Sequence, residues 1–439
     1  MAFSGDGAGT CELSWGQLDI WQAMIRQKSW IPNGVFVPLP AGTTVDSVTD
    51  GLRYLMSRYP TARTRLLFDA DGAPRQVISA SGEIILEVVD AGDTDPELVA
   101  DSVRLRYQDA PYDFATDWPV RMAAVRRHDV LTHLVVVMCH LVTDGVGARI
   151  MFEELDARTT EPVPVAQPLE QARWQASPAG QKHNTAALRH WAGILRSMPL
   201  RQFPDSTDRR QPRHWRGEFT SYALGPATEA VSARTGAGAP TVLLGLFSVA
   251  LARVTGVNPV AVRPMVNNRF RPGLDRVVCM LAQYGLCLLD VVGIPLAEVI
   301  DRAGRAILAT YKHAYYNPLD LDDLVGRIVE ERGAGLQLPC YFNDRRAIVG
   351  SDEPVPALSA RQLHEAAARG TFQWTTQQDT PFEPLIVHVD DIPGAVRLVI
   401  FMDTHVISPA HAEALLRGIE TAAVQAALDS ATPAAVPVN

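Results

Sequence analysis

Apolar and polar positions change period repeatedly along the first 160 residues, which predicts helices mixed with strands. Thr44 can cap a helix in which apolar residues recur every three or four positions from Val45 to Tyr59, and Pro60 ends it. Residues 131–138 are almost all apolar, which is typical of a central strand covered on both faces. The other elements predicted here are strands at 65–68, 76–78, 83–89 and 120–125, and helices at 95–108 and 146–155.

A stretch rich in Pro and Gln, residues 159–184, interrupts this pattern and predicts an ordered, partly extended linker. It divides the chain into predicted lobes at 1–175 and 176–439. Beyond it the pattern predicts helices at 185–197, 241–255, 301–315 and 409–427, and strands at 260–266, 281–291, 340–343, 371–375, 385–389 and 396–403. The fold class is therefore α/β, or two-layer α+β, in two lobes of similar size.

Composition agrees with two folded domains and excludes several classes of function. The 439 residues are 47% apolar, enough to bury a hydrophobic core in each of two domains of about 100–200 residues. A net charge of −9 repels phosphate backbones, so nucleic acid is excluded as a partner. No apolar run reaches the roughly 18–20 residues of a membrane span, and the N-terminus lacks a signal-peptide pattern. Five cysteines without a CxxC pair predict free thiols, no metal site and a cytoplasmic protein.

The candidate chemistry lies at the end of the strand predicted over 131–138. The segment His140-Leu141-Val142-Thr143-Asp144-Gly145 leads from this strand into a helix. A histidine is the natural general base near neutral pH, a carboxylate nearby can fix the turn or the ring, and Gly145 leaves room for a substrate. The same pattern also fits a half-buried structural histidine followed by an ordinary turn and cap.

The wider sequence resembles a known family. Residues 139–145 resemble the HHxxxDG motif of the condensation domains of non-ribosomal peptide synthetases, and of the acyltransferase superfamily that includes chloramphenicol acetyltransferase. Further resemblances follow in the family order: 14–21 to its opening motif, 57–64 to "RHxxLRT", 111–121 to "FDLxxGPLxR", 268–283 to "GRxxPxxxxxVGMFVN", and 318–324, more weakly, to the next motif.

The resemblance implies two chloramphenicol-acetyltransferase-like lobes set in a V-shaped pseudo-dimer, with the active site in a channel between them. His140 would be the catalytic base or would position the acceptor. Asp144 would be structural and would pair with an arginine, best matched by Arg269, with Arg271 and Arg263 in reserve. The backbone amide of Gly145 would lie near the thioester carbonyl.

The chain departs from the family at three positions. Cys139 stands in place of the first histidine, Cys279 in place of a glycine and Gln283 in place of an asparagine. Cys139, Gln283 and Trp374 are candidates for lining the substrate channel. Trp374 alternates with Phe372, which is the more common pattern of core residues.

The resemblance implies a freestanding, monomeric condensation enzyme in natural-product biosynthesis. It would form an amide or ester between an acyl thioester and a small-molecule amine or alcohol. The protein would bind no cofactor, since the acyl group arrives on the phosphopantetheine of a carrier protein. Acidic carriers need a basic patch, for which Arg209, Arg210 and Arg213, or Arg345 and Arg346, are candidates. The alternatives are an inactive module that recruits partner enzymes, and an acyl-CoA-dependent transferase, although the "DFGWG" motif of one such branch is absent.

Overall fold

The computed structural model describes residues 1–204, 206–333, 335–346, 348, 355–381 and 385–428. The chain forms two compact units. The first contains Met1–Lys182 together with Asn267–Ala282, and the second contains His183–Val266 and the described part of Gln283–Asn439. The first unit is therefore discontinuous in sequence. The predicted domain bounds of 1–175 and 176–439 stay a prediction.

The first unit contains five helices and nine strands among its described residues. In chain order they are β1 (Ala2–Ser4), β2 (Gly9–Glu12), α1 (Trp15–Gln27), β3 (Pro32–Pro38), α2 (Val45–Arg58), β4 (Thr64–Phe68), β5 (Pro74–Ile78), β6 (Ser81–Glu83), β7 (Leu86–Asp90), α3 (Pro96–Asp109), β8 (Val120–Arg127), β9 (Val130–Cys139), α4 (Gly145–Ala157) and α5 (Pro168–Ala176). A 3₁₀ turn, Pro60–Arg63, follows α2.

A four-stranded sheet in the order β3-β9-β8-β7 forms the centre of this unit. Alternate residues of β9 point to opposite faces. Val135 and Val137 pack with apolar residues of α3, whereas Val136 and Met138 pack with those of α2 and α4. Both faces are covered, which is why the sequence of β9 is apolar without alternation. The strand ends at Cys139, so the next residue, His140, begins the turn into α4.

The second unit contains eight strands and seven helices among its described residues. In chain order they are α6 (Pro178–Ser197), β10 (His214–Ser221), α7 (Leu224–Thr235), α8 (Ala239–Thr255), β11 (Val260–Val266), β12 (Gln283–Tyr284), β13 (Cys287–Leu289), α9 (Leu296–His313), α10 (Pro318–Arg332), β14 (Cys340–Asp344), α11 (Ala360–Ala368), β15 (Thr371–Gln378), β16 (Leu385–Ile392), β17 (Ala395–Asp403) and α12 (Pro409–Leu428). The boundary between the units falls inside α6.

One mixed sheet organises the second unit, in the order β12-β11-β14-β16-β17-β10-β15, with β13 also paired to β11. The pairs β11–β14 and β14–β16 are parallel and the other pairs are antiparallel. Helix α8 is apolar on all sides because it is buried in the core, where it packs against α9 and α12. The α/β class with two lobes, predicted from the sequence, is confirmed.

The predicted elements differ from the structure in places. Residues 159–184, predicted to be an ordered and partly extended linker, include the starts of two helices, since α5 begins at Pro168 and α6 at Pro178. Proline suits the first position of a helix, where its missing N–H has no intrahelical partner to lose. The single strand predicted at 281–291 is two short strands separated by Gly285 and Leu286. A Cβ atom at Gly285 would lie 2.1 Å from Thr310 Cγ2.

No single helix in the described part of the chain has both the length and the apolar character needed to cross a membrane. Helices α7 and α8 meet that criterion only as a pair, and they are bent by 110° relative to each other.

Candidate functional site

His140 is half-buried, and one ring nitrogen is fixed by the turn that follows it. Its Nδ1 lies 3.1 Å from the carbonyl oxygen of Thr143. A carbonyl only accepts hydrogen bonds, so Nδ1 carries the proton and Nε2 keeps its lone pair. Burial, the largest influence, lowers the pKa of His140 below its ordinary value. The ring is therefore neutral near pH 7, with Nε2 available as a base.

Asp144 caps helix α4 and thereby fixes the end of the His140 turn. Its Oδ1 accepts a hydrogen bond of 2.9 Å from the backbone N–H of Gly147. Aspartate is favoured at this position because the first amides of a helix have no partner within the helix. The turn is also held from the side, where the Thr61 hydroxyl donates to the carbonyl of Val142.

The second carboxylate oxygen of Asp144 binds the segment formed by residues 267–282, called here the inserted segment. Oδ2 accepts from Arg269 Nη1 at 2.8 Å and from the backbone amides of Leu281 and Ala282, each at 3.0 Å. The side chains of Asp144 and Arg269 are each 5% exposed. Four donors surround this buried carboxylate, which offsets much of the cost of removing its charge from water.

Arg269 also shapes the inserted segment itself. Its Nη2 donates to the carbonyls of Val277 (2.9 Å) and Cys279 (3.1 Å), and its Nε to Val277 (3.2 Å). The two reserve arginines lie elsewhere: Arg271 Nε is 3.3 Å from Asn268 Oδ1, and Arg263 stacks on Tyr341 in the second unit. The structure thus brings Asp144 together with Arg269.

Two glycines lie in the first turn of α4. Gly145 is the first helical residue, so its amide lies at the partly positive end of the helix. Gly147 was not among the predicted site residues. A Cβ atom on Gly147 would lie 2.1 Å from Thr143 Oγ1 and 2.8 Å from Arg269 Nη2. The ion pair therefore requires a glycine there, and the spacing Gly-x-Gly after the aspartate was the available signal.

Cys139 has 1% of its surface exposed and lies in an apolar cluster with Leu13, Met24 and Leu141. Burial is the main reason that the pKa of this thiol is raised to about 12. A thiol with such a pKa is almost entirely protonated near pH 7, which argues against a nucleophilic role. Its assignment to the substrate channel stays a prediction.

The other two channel candidates lie in the second unit. The side-chain amide of Gln283 is fully buried and pairs with the backbone of Tyr316, donating to its carbonyl at 3.1 Å and accepting from its N–H at 3.3 Å. Trp374 is half-buried, with ring centroids 4.9 Å from Phe372 and 5.1 Å from Trp215. Both side chains pack within that unit, and their substrate contacts stay predictions.

Four of the five arginines proposed for a basic patch are neutralised by carboxylates. Arg213 makes two hydrogen bonds to Asp403, and Arg345 makes two to Asp390, at 2.7 and 2.6 Å. Arg210 pairs with Asp208 and Arg346 with Asp344. Arg209 donates to backbone carbonyls of its own loop. These residues do not provide a concentrated positive patch.

Within the described residues, no group of three or more His, Cys, Asp or Glu side chains is arranged to hold a metal ion.

Comparison with known proteins identifies the family. The family model described as "Condensation domain" matches residues 14–336. Nonribosomal peptide synthetase kk1B of Curvularia clavata is 25% identical over 288 residues, covering 62% of this chain and 2% of that protein. Surfactin synthase subunit 2 of Bacillus subtilis (strain 168) is 23% identical over 295 residues, covering 65% of this chain and 8% of that protein. The chain therefore spans only a small part of the length of these relatives.

Solved structures share the fold. The condensation domain from Monacolin K polyketide synthase MokA superimposes with a TM-score of 0.74 at 16% identity, covering 97% of this chain and 99% of that chain. A structure describing condensation domain-mediated chain release from the enacyloxin polyketide synthase gives a TM-score of 0.72 at 19% identity, covering 98% and 85%. With a family model that matches most of its length, the chain belongs to the condensation domain family, as its motifs predicted.

Proposed function

We propose that the protein is a condensation-type acyltransferase, which joins a thioester-bound acyl group to an amine or an alcohol. Condensation domains are generally acyltransferases that form peptide bonds. One observation in this chain carries the proposal. The bond from His140 Nδ1 to the Thr143 carbonyl fixes the tautomer that leaves Nε2 basic, on a turn held by a buried ion pair.

The reaction needs one proton to be moved. The acceptor nitrogen or oxygen attacks the thioester carbonyl, Nε2 of His140 takes the acceptor's proton, the carbon–sulfur bond breaks, and the thiol leaves with that proton. General base help of this kind is worth about 10²–10⁴ in rate. A neutral amine is already nucleophilic, so for an amine the ring chiefly holds the acceptor in line, whereas an alcohol depends more on the base.

The first turn of α4 supplies a complementary charge. The amide of Gly145 belongs to the end of the helix dipole that stabilises negative charge. Developing charge on the thioester oxygen would be stabilised by a donor of this type. The same turn thus offers a base at His140 and a dipole at Gly145, five residues apart.

We propose that the acyl donor is carried on the phosphopantetheine arm of a carrier protein and that the acceptor is a small molecule. The curated relatives described above include non-ribosomal peptide synthetases, which supports a carrier-bound donor. An acyl-CoA donor is the competing candidate, and a direct comparison of the two donors separates them.

The test is intact-mass spectrometry of acyl-loaded carrier proteins, incubated with the purified protein and a panel of amines and alcohols. Loss of the acyl mass from the carrier and gain of acylated acceptor are expected, with slower transfer from the matching acyl-CoA. The variant His140→Ala is expected to reduce transfer by about 10²-fold or more. The control is His364→Ala, which removes an exposed histidine on α11 and is expected to leave transfer unchanged.

Thermal unfolding of both variants shows whether they are folded. Transfer at the wild-type rate by folded His140→Ala protein would refute the catalytic proposal, and it would favour an inactive module that recruits other enzymes.

A further inference from the structure

The inserted segment is attached to α4 at a second point, ten residues beyond Asp144. Arg276 Nη2 lies 3.0 Å from Oε1 of Glu154, and its Nη1 lies 3.8 Å from Oε2 of Glu153. Glu153 and Glu154 lie outside the motifs described above, and Arg276 is at an unspecified position of the motif at 268–283. Asp144 and Glu154 are thus two carboxylates of the same helical region that hold one loop.

Glu154 is itself firmly fixed. Its side chain is 7% exposed, and its Oε2 accepts from Arg58 Nε at 2.8 Å and from the Tyr59 hydroxyl at 2.7 Å. The Tyr54 hydroxyl donates to the Glu154 backbone carbonyl at 3.0 Å. Helix α2 and its end therefore fix Glu154 in place, so that Glu154 is a rigid anchor for Arg276.

Apolar packing lies between the two attachment points. Val277, Val278, Cys279 and Leu281 are each at most 1% exposed. Val278 packs into the cluster that contains apolar residues of α2 and α4. The backbone that ends in the Leu281 and Ala282 amides is thus fixed by Arg276 at one side and by Asp144 at the other.

The two ends of the Arg276–Glu154 pair differ in burial, which makes the pair suitable for mutation. The Arg276 side chain is 49% exposed, so removing it leaves no buried cation and no cavity of consequence. Glu154 would keep Arg58 and Tyr59 as partners. Loss of Arg276 should therefore spare the fold of the unit while loosening the inserted segment.

We propose that Arg276 is a positioning residue: through Glu154 it holds the inserted segment so that the amides of Leu281 and Ala282 stay on Asp144. Asp144 in turn caps the turn whose Thr143 carbonyl orients His140. The proposal rests on the proposed acyl transfer. It assigns Arg276 no contact with substrate, only an effect on the geometry of the base.

The test compares Arg276→Ala with Arg276→Lys and with Arg149→Ala. Arg149 is a matched control because it is an exposed arginine of α4 that pairs with Glu153, a residue of its own helix. We expect Arg276→Ala to speed hydrogen exchange of peptides spanning 277–282 by about tenfold, as for a locally opened loop. We expect kcat for transfer to fall by about 10- to 100-fold, because small misplacements of catalytic groups are costly.

A merely structural residue would not give this combination. The melting temperature and the acceptor KM are expected to change little, Arg276→Lys is expected to recover most of kcat, and Arg149→Ala is expected to behave as wild type. Unchanged exchange in Arg276→Ala overturns the attachment, and faster exchange with wild-type kcat overturns the positioning role. If the wild-type protein transfers no acyl group, the proposed function fails, and the exchange experiment still decides whether Arg276 holds the segment.

Discussion

Removing Arg269 should destabilise the first unit more than any surface substitution, because it leaves a buried carboxylate without its cation. In Arg269→Met the side chain keeps much of its apolar volume but loses the ion pair with Asp144 at 2.8 Å. It also loses the three hydrogen bonds to the carbonyls of Val277 and Cys279. The perturbation therefore affects one charge and two backbone acceptors, all in the interior.

The magnitude follows from burial. Breaking a buried pair by removing one partner costs about 3–5 kcal/mol. Asp144 keeps three backbone amides as donors, from Gly147, Leu281 and Ala282, which favours the lower end of that range. A loss of about 3 kcal/mol is a large fraction of the 5–15 kcal/mol that stabilises a typical domain. In the double variant Asp144→Asn/Arg269→Met no charge is stranded, so its cost should fall below the sum of the single costs by about 1 kcal/mol or more.

Native-state hydrogen exchange suits this measurement, because a chain of two units need not unfold in one step. The slowest amides of β9 and α4 report the opening of the first unit. The wild type, Arg269→Met, Asp144→Asn and the double variant are compared at one pH and temperature. The supporting role of the ion pair would be refuted if the opening free energy of these amides in Arg269→Met lay within 1 kcal/mol of the wild-type value. It would also be refuted if the cost of the double variant equalled the sum of the two single costs.

Three further predictions test the site and the core. Gly147→Ala should cost about 1–3 kcal/mol in chemical denaturation, because its Cβ would overlap Thr143 Oγ1, whereas Gly193→Ala on α6, with open space around it, should be neutral or slightly stabilising. Burial raises the pKa of Glu420, so the stability contributed by this carboxyl is lost as pH rises from its unfolded-state pKa through its folded-state pKa. Glu420→Gln should therefore be more stable than wild type at pH 7 and equally stable near pH 3. Equal stability of the two proteins at both pH values would contradict this. Burial lowers the pKa of His140, so kcat/KM should rise with pH through a midpoint below the ordinary histidine value of about 6.5 and then level off. A midpoint above 6.5 would contradict the lowered pKa of the proposed base.

Local pattern predicted the elements that surround the site. The apolar run of β9, the helix after it and the Thr44 cap of α2 all follow from short-range periodicity, and the structure shows each of them. Helix α10 was not predicted, although Asn317 followed by Pro318 is a cap and first-turn signal. The starts of α5 and α6 were not predicted, because Pro168 and Pro178 were interpreted as linker composition, although proline also suits the first position of a helix.

The geometry of the site depends on contacts distant in sequence. Asp144 and Arg269 are 125 positions apart, and no spacing rule joins them; the family resemblance suggested that pair. The need for glycine at 147 arises from Thr143 in the same turn and also from Arg269, which is distant in sequence. The basic-patch hypothesis was based on charges counted along the chain, and four of its five arginines pair with carboxylates, Arg213 with an aspartate 190 positions away.

The discontinuity of the first unit limits how the chain can be divided for engineering. A fragment that stops at Lys182 would carry Asp144 but would lack its cation and two of its amide donors, all of which come from residues 267–282. Chimaeras that exchange the amino-terminal half between relatives would therefore combine an aspartate from one parent with a loop from the other. Transplanting the loop together with that half is the arrangement that preserves a complementary carboxylate and guanidinium.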